Sequence, residues 1–401
     1  MNILFVHEVD WLQKVVFEIH SLPELLSSLG HRVFVVDFGS LRDRKHIFDF
    51  GTLRTKEFSN LSRARVGSSV RLIRPGFIKA PFLDRASAFF THYSVIKRVI
   101  EDNEIDAIVL YSVPTNGPQT ITLAREVGVP IIFRSIDVIH MLVTLKLLRP
   151  VVFSLEKWVY RHVDKILTLS PKLSDYVIRM GADRNKVELL PFGVDMSKFN
   201  PHVEAEELRG KLGIAEDDKV IVYVGTLFEF SGLDLYLKQF PAVLKEFPKA
   251  KLVIVGGGAL LEKLKELVVG LKITGNVILT GFQPFDMMPQ YINLADVCIN
   301  PFIVNMVTRD IIPGKVIQYL ACAKPVLATP LPGMVSLLPS SERGVVYSSI
   351  NEFVENTIKL LRGTEATRDI GENGYRYVKD SHDERKIAYC LETILGQMIA
   401  H

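Results

Sequence analysis

Cysteine is scarce in this chain. The three present, Cys298, Cys322 and Cys390, are odd in number and widely separated, with no Cys-x-x-Cys pair. That excludes a disulfide framework or a cysteine-rich zinc site, and leaves small buried hydrophobes in a reducing compartment. Charge imbalance is missing too. The net charge is +3 over 401 residues, so nothing overall demands a nucleic-acid partner. No apolar run reaches the ~18 residues of a membrane span. The most apolar segment, Ile139 to Val159, is broken by Lys146, Arg149, Glu156 and Lys157. The opening run Met1–His7 is too short for a signal peptide and has no basic start. The expectation is a cytoplasmic protein, soluble or peripheral at the inner face of the plasma membrane. Low-complexity segments and short-period repeats are also absent.

What is present is a globular composition at a length that exceeds one growing core, which predicts two domains. Short β-branched runs alternate with helix-period stretches. In the first half the runs are Ile3–His7, Arg32–Phe38, Val70–Ile73, Ala107–Tyr111, Pro130–Phe133, Lys165–Leu169 and Val187–Leu190. Helical stretches lie between them, such as Leu12–Leu29 before Gly30 and Gln119–Glu126 before Gly128. The second half repeats the scheme with Val220–Val224, Lys251–Val255, Asn276–Leu279, Asp296–Asn300, Pro325–Thr329 and Gly344–Tyr347. Alternating β and α predicts parallel, doubly wound sheets. Pro191 to Pro201, rich in turn formers, reads as the linker. The expected organisation is an α/β chain of two Rossmann-like domains facing each other across a cleft: residues 1–193, 194–382, and a last helix in 383–401 crossing back to the first domain. Ligands in such sheets bind beyond the carboxyl ends of the strands.

Six motifs follow one another in the second half. They are Gly181 to Asp195 (with Lys186, Pro191 and Gly193-Val194-Asp195), Tyr223-Val224-Gly225, Leu252 to Gly258, Asn276 to Phe282, Ala295 to Pro301, and Pro313 to Val326. In this order they resemble the retaining, family-4 (group 1) glycosyltransferases. Gly30-His31-Arg32-Val33 resembles the start of that family's second strand. The resemblance implies a GT-B fold and transfer of a sugar from a nucleotide donor with retention of configuration. No two aspartates are separated by one residue, the arrangement that commonly holds a metal over a diphosphate. A metal-free enzyme without cofactor is therefore expected, with protein cations and helix N-termini stabilising the diphosphate.

The chain also departs from the family. Where members usually carry an Arg after the Tyr-Val-Gly turn and a Lys six residues past that glycine, this sequence has Thr226 and Ser231. Two readings compete: Arg309 and Lys315 supply the phosphate contacts instead, or transfer activity is lost. The family's two-carboxylate pattern falls on Asp310 and Gln318, implying contact with the donor sugar and with the ribose respectively. Pro313 fits the first turn of a helix whose Gly314 and Lys315 offer N–H groups and an ammonium to a diphosphate. Gly256 and Gly258 form a turn that lets a ligand approach the backbone, or a purely structural one. Phe282 and Gln283 fall where the family holds the base; a plain core role for Phe282 is the alternative.

In the first half, Lys14 offers a cation in the loop after the first strand. Arg134, Asp137 and His140 follow one strand end, where active-site groups would sit: Asp137 and His140 are catalytic candidates beside Asp310, or orient the acceptor, and Arg134 with Lys14 stands on the acceptor side. A cap or core histidine is the alternative for His140. From Arg54 to Arg85 there are eight basic residues and two acidic ones, interleaved with Phe58, Phe77 and Phe82. That composition suits an anionic membrane surface, an acidic acceptor or a solvated loop. Met141–Tyr160 adds apolar bulk and charge. The preferred reading is a hexosyltransferase acting on a nucleotide-sugar and a saccharide or lipid-linked acceptor, in glycan or polysaccharide assembly. The rivals are a catalytically degenerate nucleotide, sugar or partner-binding module and a UDP-sugar 2-epimerase.

Overall fold

The apolar runs of the first half become strands because both of their faces are covered. In β1 (Asn2–Val6), Ile3 and Phe5 enter one hydrophobic cluster while Leu4 and Val6 enter another on the opposite face. The computed structural model describes residues 1–39, 50–80, 83–143 and 145–400. Phe82 lies outside the described residues. Two compact units emerge: Met1–Pro191 together with Arg385–His401, and Phe192–Glu384.

In the first unit, β1 is followed by β2 (Arg32–Val36), β3 (Gly51–Thr52), β4 (Lys56–Leu61), β5 (Val70–Arg74), β6 (Phe77–Ile78), β7 (Ala107–Leu110), β8 (Ile131–Ser135), β9 (Lys165–Thr168) and β10 (Val187–Leu189). Eight of these form one sheet in the order β10-β9-β8-β7-β1-β2-β5-β4, and β3 pairs with β6. All neighbours in the large sheet are parallel except β4, antiparallel to β5. The sequence reading missed β4. Its Lys56, Glu57 and Asn60 are exposed at a sheet edge, so it lacks the apolar pattern of its neighbours.

The helix expected over Leu12–Leu29 is shorter, Glu18–Ser28. Asp10 holds the preceding residues in a turn by accepting from the backbone N–H groups of Leu12 and Gln13. Trp11 is fixed by its own N–H on Asp37 and its indole on the Ile19 carbonyl. The last helix, Glu384–Ile399, places Ile387, Leu391, Ile394 and Leu395 in the same cluster as Ile3 and Phe5. Cys298 and Cys322 are buried, but Cys390 is exposed on this helix, correcting its reading as a buried hydrophobe.

In the second unit, β11 (Val220–Val224), β12 (Lys251–Val255), β13 (Val277–Gly281), β14 (Val297–Asn300), β15 (Val326–Ala328) and β16 (Val345–Tyr347) form a parallel sheet in the order β13-β12-β11-β14-β15-β16. The order reverses between β11 and β14. In open α/β sheets, ligands bind outside the carboxyl ends of the strands at such a switch.

Candidate active site

Beyond that switch the chain builds a cage around one cation. Lys315, at the start of the helix Gly314–Ala321, lays its Nζ 3.8 Å from the ring centre of Tyr223 on β11. The ring of Phe302, just past β14, is 4.7 Å away on another side. Among the described residues no carboxylate pairs with Lys315. Burial among these rings pushes its ammonium well below the ordinary lysine range. An arriving anion would restore the charged form and meet the free N–H groups at the start of the helix. Pro313 stands at the N-cap rather than inside the first turn, which begins at Gly314.

The glycine turns pack against this point. Gly225 has φ of 137°, and a Cβ there would meet Lys315 Nζ at 2.7 Å. Gly256 has φ of 141°, and its Cβ would collide with the Gly225 carbonyl. The Gly258 backbone lies against Leu227, and the Leu227 N–H donates to the Gly257 carbonyl. Two loops thus approach backbone to backbone, which side chains larger than hydrogen would prevent. The ring of Phe282 rests on Gly257 yet is 69% exposed, so its alternative reading as plain core is corrected. Gln283 turns its amide back to donate to the Thr280 carbonyl at 3.0 Å.

The departures from the family divide. Thr226 is half-buried, and its carbonyl accepts from the Tyr223 hydroxyl. Ser231 is fully buried and its hydroxyl has no partner among the described residues. Arg309 and Asp310 are both exposed, 3.6 Å apart, on the segment before the helix. Gln318 is half-buried, one helical turn beyond Lys315.

In the first unit Arg134 does not face outward. Its guanidinium is 1% exposed, bonded twice to Glu18 at 2.8 and 2.7 Å and to the carbonyl of Leu190 at 2.5 Å. These bonds tie β8 to the helix Glu18–Ser28, so Arg134 is a structural ion pair and not an acceptor-side cation. Asp137 is half-buried, and desolvation raises its carboxyl to about 6, with the Lys14 ammonium opposing the shift. Lys14 itself is exposed.

His140 Nδ1 lies 2.8 Å from Glu156 Oε2. The Tyr176 hydroxyl lies 3.2 Å from the same nitrogen. Glu156 is fully buried and also accepts from the Tyr160 hydroxyl and from the N–H groups of Ile139 and His140. The sequence reading missed Glu156 as the partner of His140, and missed Tyr223 and Phe302 as the cage. Nothing in the local pattern marks any of the three as a partner, because the pairing is made by packing.

Several cations of the basic stretch Arg54–Arg85 are held within the fold. Arg71 pairs with Glu57, Arg74 with Asp10 and Asp37, and Arg85 with Glu8. Arg63 donates to the carbonyls of Trp11 and Lys14. These partners neutralise part of the net +6 of the sequence count, while Arg54 and Lys56 are exposed. Among the described residues, no three His, Cys, Asp or Glu side chains cluster as a metal site, and no helix is long and apolar enough to cross a membrane.

Two such α/β units, each built on a mainly parallel sheet, are the architecture of the GT-B glycosyltransferases. The family comparisons agree. The "glycosyl transferase 4-like domain" matches residues 18–193 and "glycosyl transferases group 1" matches residues 204–377. The chain belongs to the group 1 glycosyltransferase family. It is 26% identical to an alpha-monoglucosyldiacylglycerol synthase of Streptococcus pneumoniae, over 79% of this chain and 72% of that protein. It is 25% identical to a putative glycosyltransferase, EpsD, of Bacillus subtilis, over 77% of this chain and 84% of that protein. Among solved structures, sucrose-phosphate synthase from Thermosynechococcus elongatus has a TM-score of 0.74 at 17% identity, covering 100% of both chains. Anabaena HepE in complex with UDP-glucose has a TM-score of 0.71 at 16% identity, covering 99% of this chain and 100% of that one. At these identities the likeness speaks for the fold.

Proposed function

We propose that this protein transfers a hexose from a nucleotide-sugar to a saccharide or lipid-linked acceptor, with retention and without a metal. The observation that carries the reading is Lys315: a caged cation with no carboxylate partner among the described residues, at a helix start beside the glycine turns and the sheet's switch point. A diphosphate would fill that vacancy of charge. Lys315 then does the work that Thr226 and Ser231 cannot. Phe282 offers an open ring to the nucleotide base, Gln318 a hydrogen bond to the ribose, and Asp310 a carboxylate to the donor sugar. As the bond from the anomeric carbon to the diphosphate oxygen breaks, the acceptor oxygen bonds to that carbon on the same face. Its proton passes to the departing phosphate, so no strong external base is required. His140 and Asp137 orient the acceptor.

The test is binding and hydrolysis of a panel of UDP-, GDP- and ADP-sugars by wild type and Lys315→Ala. One donor binding and turning over, weakened by the substitution, supports the reading. No binding at millimolar concentration favours the second reading, a degenerate module. The buried, unpartnered hydroxyl of Ser231 at the family's lysine position is the observation on that side.

A further inference from the structure

The segment leading into the helix Arg149–His162 exposes apolar side chains that the fold has no use for. Its 3₁₀ turn Lys146–Leu148 is exposed throughout, with Leu147 82% accessible. Leu142, Leu145, Leu148, Val151 and Phe153 are exposed beside it. Elsewhere in the helix, Val152, Glu156, Val159 and Tyr160 form the buried face. The ridge is therefore the outer side of an amphipathic element, and isolated exposed leucines do not account for so many in one short run.

The charge on this ridge has one sign. Lys146 is exposed within the turn, Lys157 lies over the Phe153 ring at 5.5 Å, and Arg161 is exposed a helical turn further on. Arg149 is half-buried, its guanidinium bracing the loop by donating to the carbonyls of Val143 and Met141. The segment's only acid, Glu156, is fully buried beneath His140. A second copy of the chain would bring two positive faces together. Apolar side chains to insert, ringed by lysines, fit the interface of a bilayer carrying anionic headgroups.

We propose that Leu142 and Leu145–Phe153 form a membrane-docking ridge that inserts into the interface of anionic lipid. The basic stretch Arg54–Arg85 offers less to this purpose, because Arg71, Arg74 and Arg85 are paired with acids within the fold. The His140 ring lies 5.1 Å from that of Phe153, so the ridge adjoins the groups assigned to the acceptor. A lipid-borne acceptor hydroxyl would reach them from the bilayer side. Only this last step rests on the proposed function; the docking stands on exposure and charge alone.

The experiment is flotation of the full chain with vesicles of phosphatidylcholine, with and without one-third phosphatidylglycerol. Wild type is expected to float with the anionic vesicles and not with the neutral ones. Leu147→Asp with Val151→Asp should lower the bound fraction at least tenfold, and Lys146→Glu with Lys157→Glu should do the same. Thermal melts verify that each variant is folded. Nucleotide-sugar binding, measured in parallel, should be unchanged in all of them. Wild type failing to float, floating equally with both vesicles, or floating undiminished after the leucine and valine changes overturns the ridge. So does a dimer in sedimentation that the same changes dissolve. If flotation behaves as expected while no donor binds, the docking stands and the transferase reading falls.

Discussion

A methyl group at Gly225 would come within 2.7 Å of the ammonium of Lys315. The glycine and the lysine are 90 positions apart in sequence, yet each requires the other: the missing side chain is the space the cation occupies. Gly225→Ala would force Lys315 from between its rings and also strain a backbone at φ of 137°. Donor affinity is expected to fall in Gly225→Ala much as it does in Lys315→Ala. Loss of a charge-assisted hydrogen bond of about 1.5–3 kcal/mol corresponds to roughly 10- to 150-fold. Calorimetric titration with the preferred nucleotide-sugar checks both. Unchanged affinity in either variant would mean that the diphosphate binds elsewhere.

The His140–Glu156 pair gives a prediction on the other substrate. His140→Ala should raise the acceptor KM by roughly 3- to 10-fold, as expected for one hydrogen bond of about 1 kcal/mol, and leave donor affinity unchanged. Initial rates at varied acceptor concentration separate the two. An equal loss against both substrates would instead mark His140 as structural.

Asp137 makes stability depend on pH in a stated direction. Its folded carboxyl titrates at about 6, above the ordinary value of 3.8. The folded state therefore holds the proton more tightly, and stability is lost as pH rises through that window. Asp137→Asn removes the cost, which for a shift of about two units is at most about 3 kcal/mol above pH 7. Urea unfolding at pH 5, 6 and 7.5 should show the variant's advantage growing with pH. An advantage that is constant across the series would contradict the assignment. A more stable but less active variant is expected if Asp137 also meets the acceptor.

Four histidines act in the opposite sense. Burial lowers His7 to about 3 and His20, His92 and His382 to about 4, below the ordinary 6.5. All four fold neutral, so stability falls as pH drops below 6.5 and toward 4, by about 1.4 kcal/mol per pH unit for each. Three lie in the first unit and one in the second. Denaturation at pH 7.5, 6 and 5, followed by Trp11 and Trp158 fluorescence, should show the first unit's transition dropping steeply. A flat response would place these rings in contact with water.

How much of this was legible in the residues follows from what kind of signal each part leaves. A run such as Val220–Val224 is apolar at every position because neighbours cover both faces, and its limits were read without error. Lys56–Leu61 escaped notice because an edge strand needs no such run. The positions of Lys315 and His140 were readable, since charged and polar residues stand out. Their partners were not, because Tyr223, Phe302 and Glu156 lie on other elements and owe their roles to packing. Arg134 was misread for the same reason: only the fold reveals that Glu18 waits beneath it.

The helix Glu384–Ile399 carries a consequence for biosynthesis. Ile387, Leu391, Ile394 and Leu395 fill the cluster built on Ile3 and Phe5, so the first unit lacks part of its own interior until residues beyond the whole second unit have been translated. The second unit, by contrast, is complete once Glu384 has emerged. Order of synthesis and order of completion are thus reversed, and a nascent chain stalled anywhere before Ile387 would present an unfinished apolar surface to the cell's chaperones.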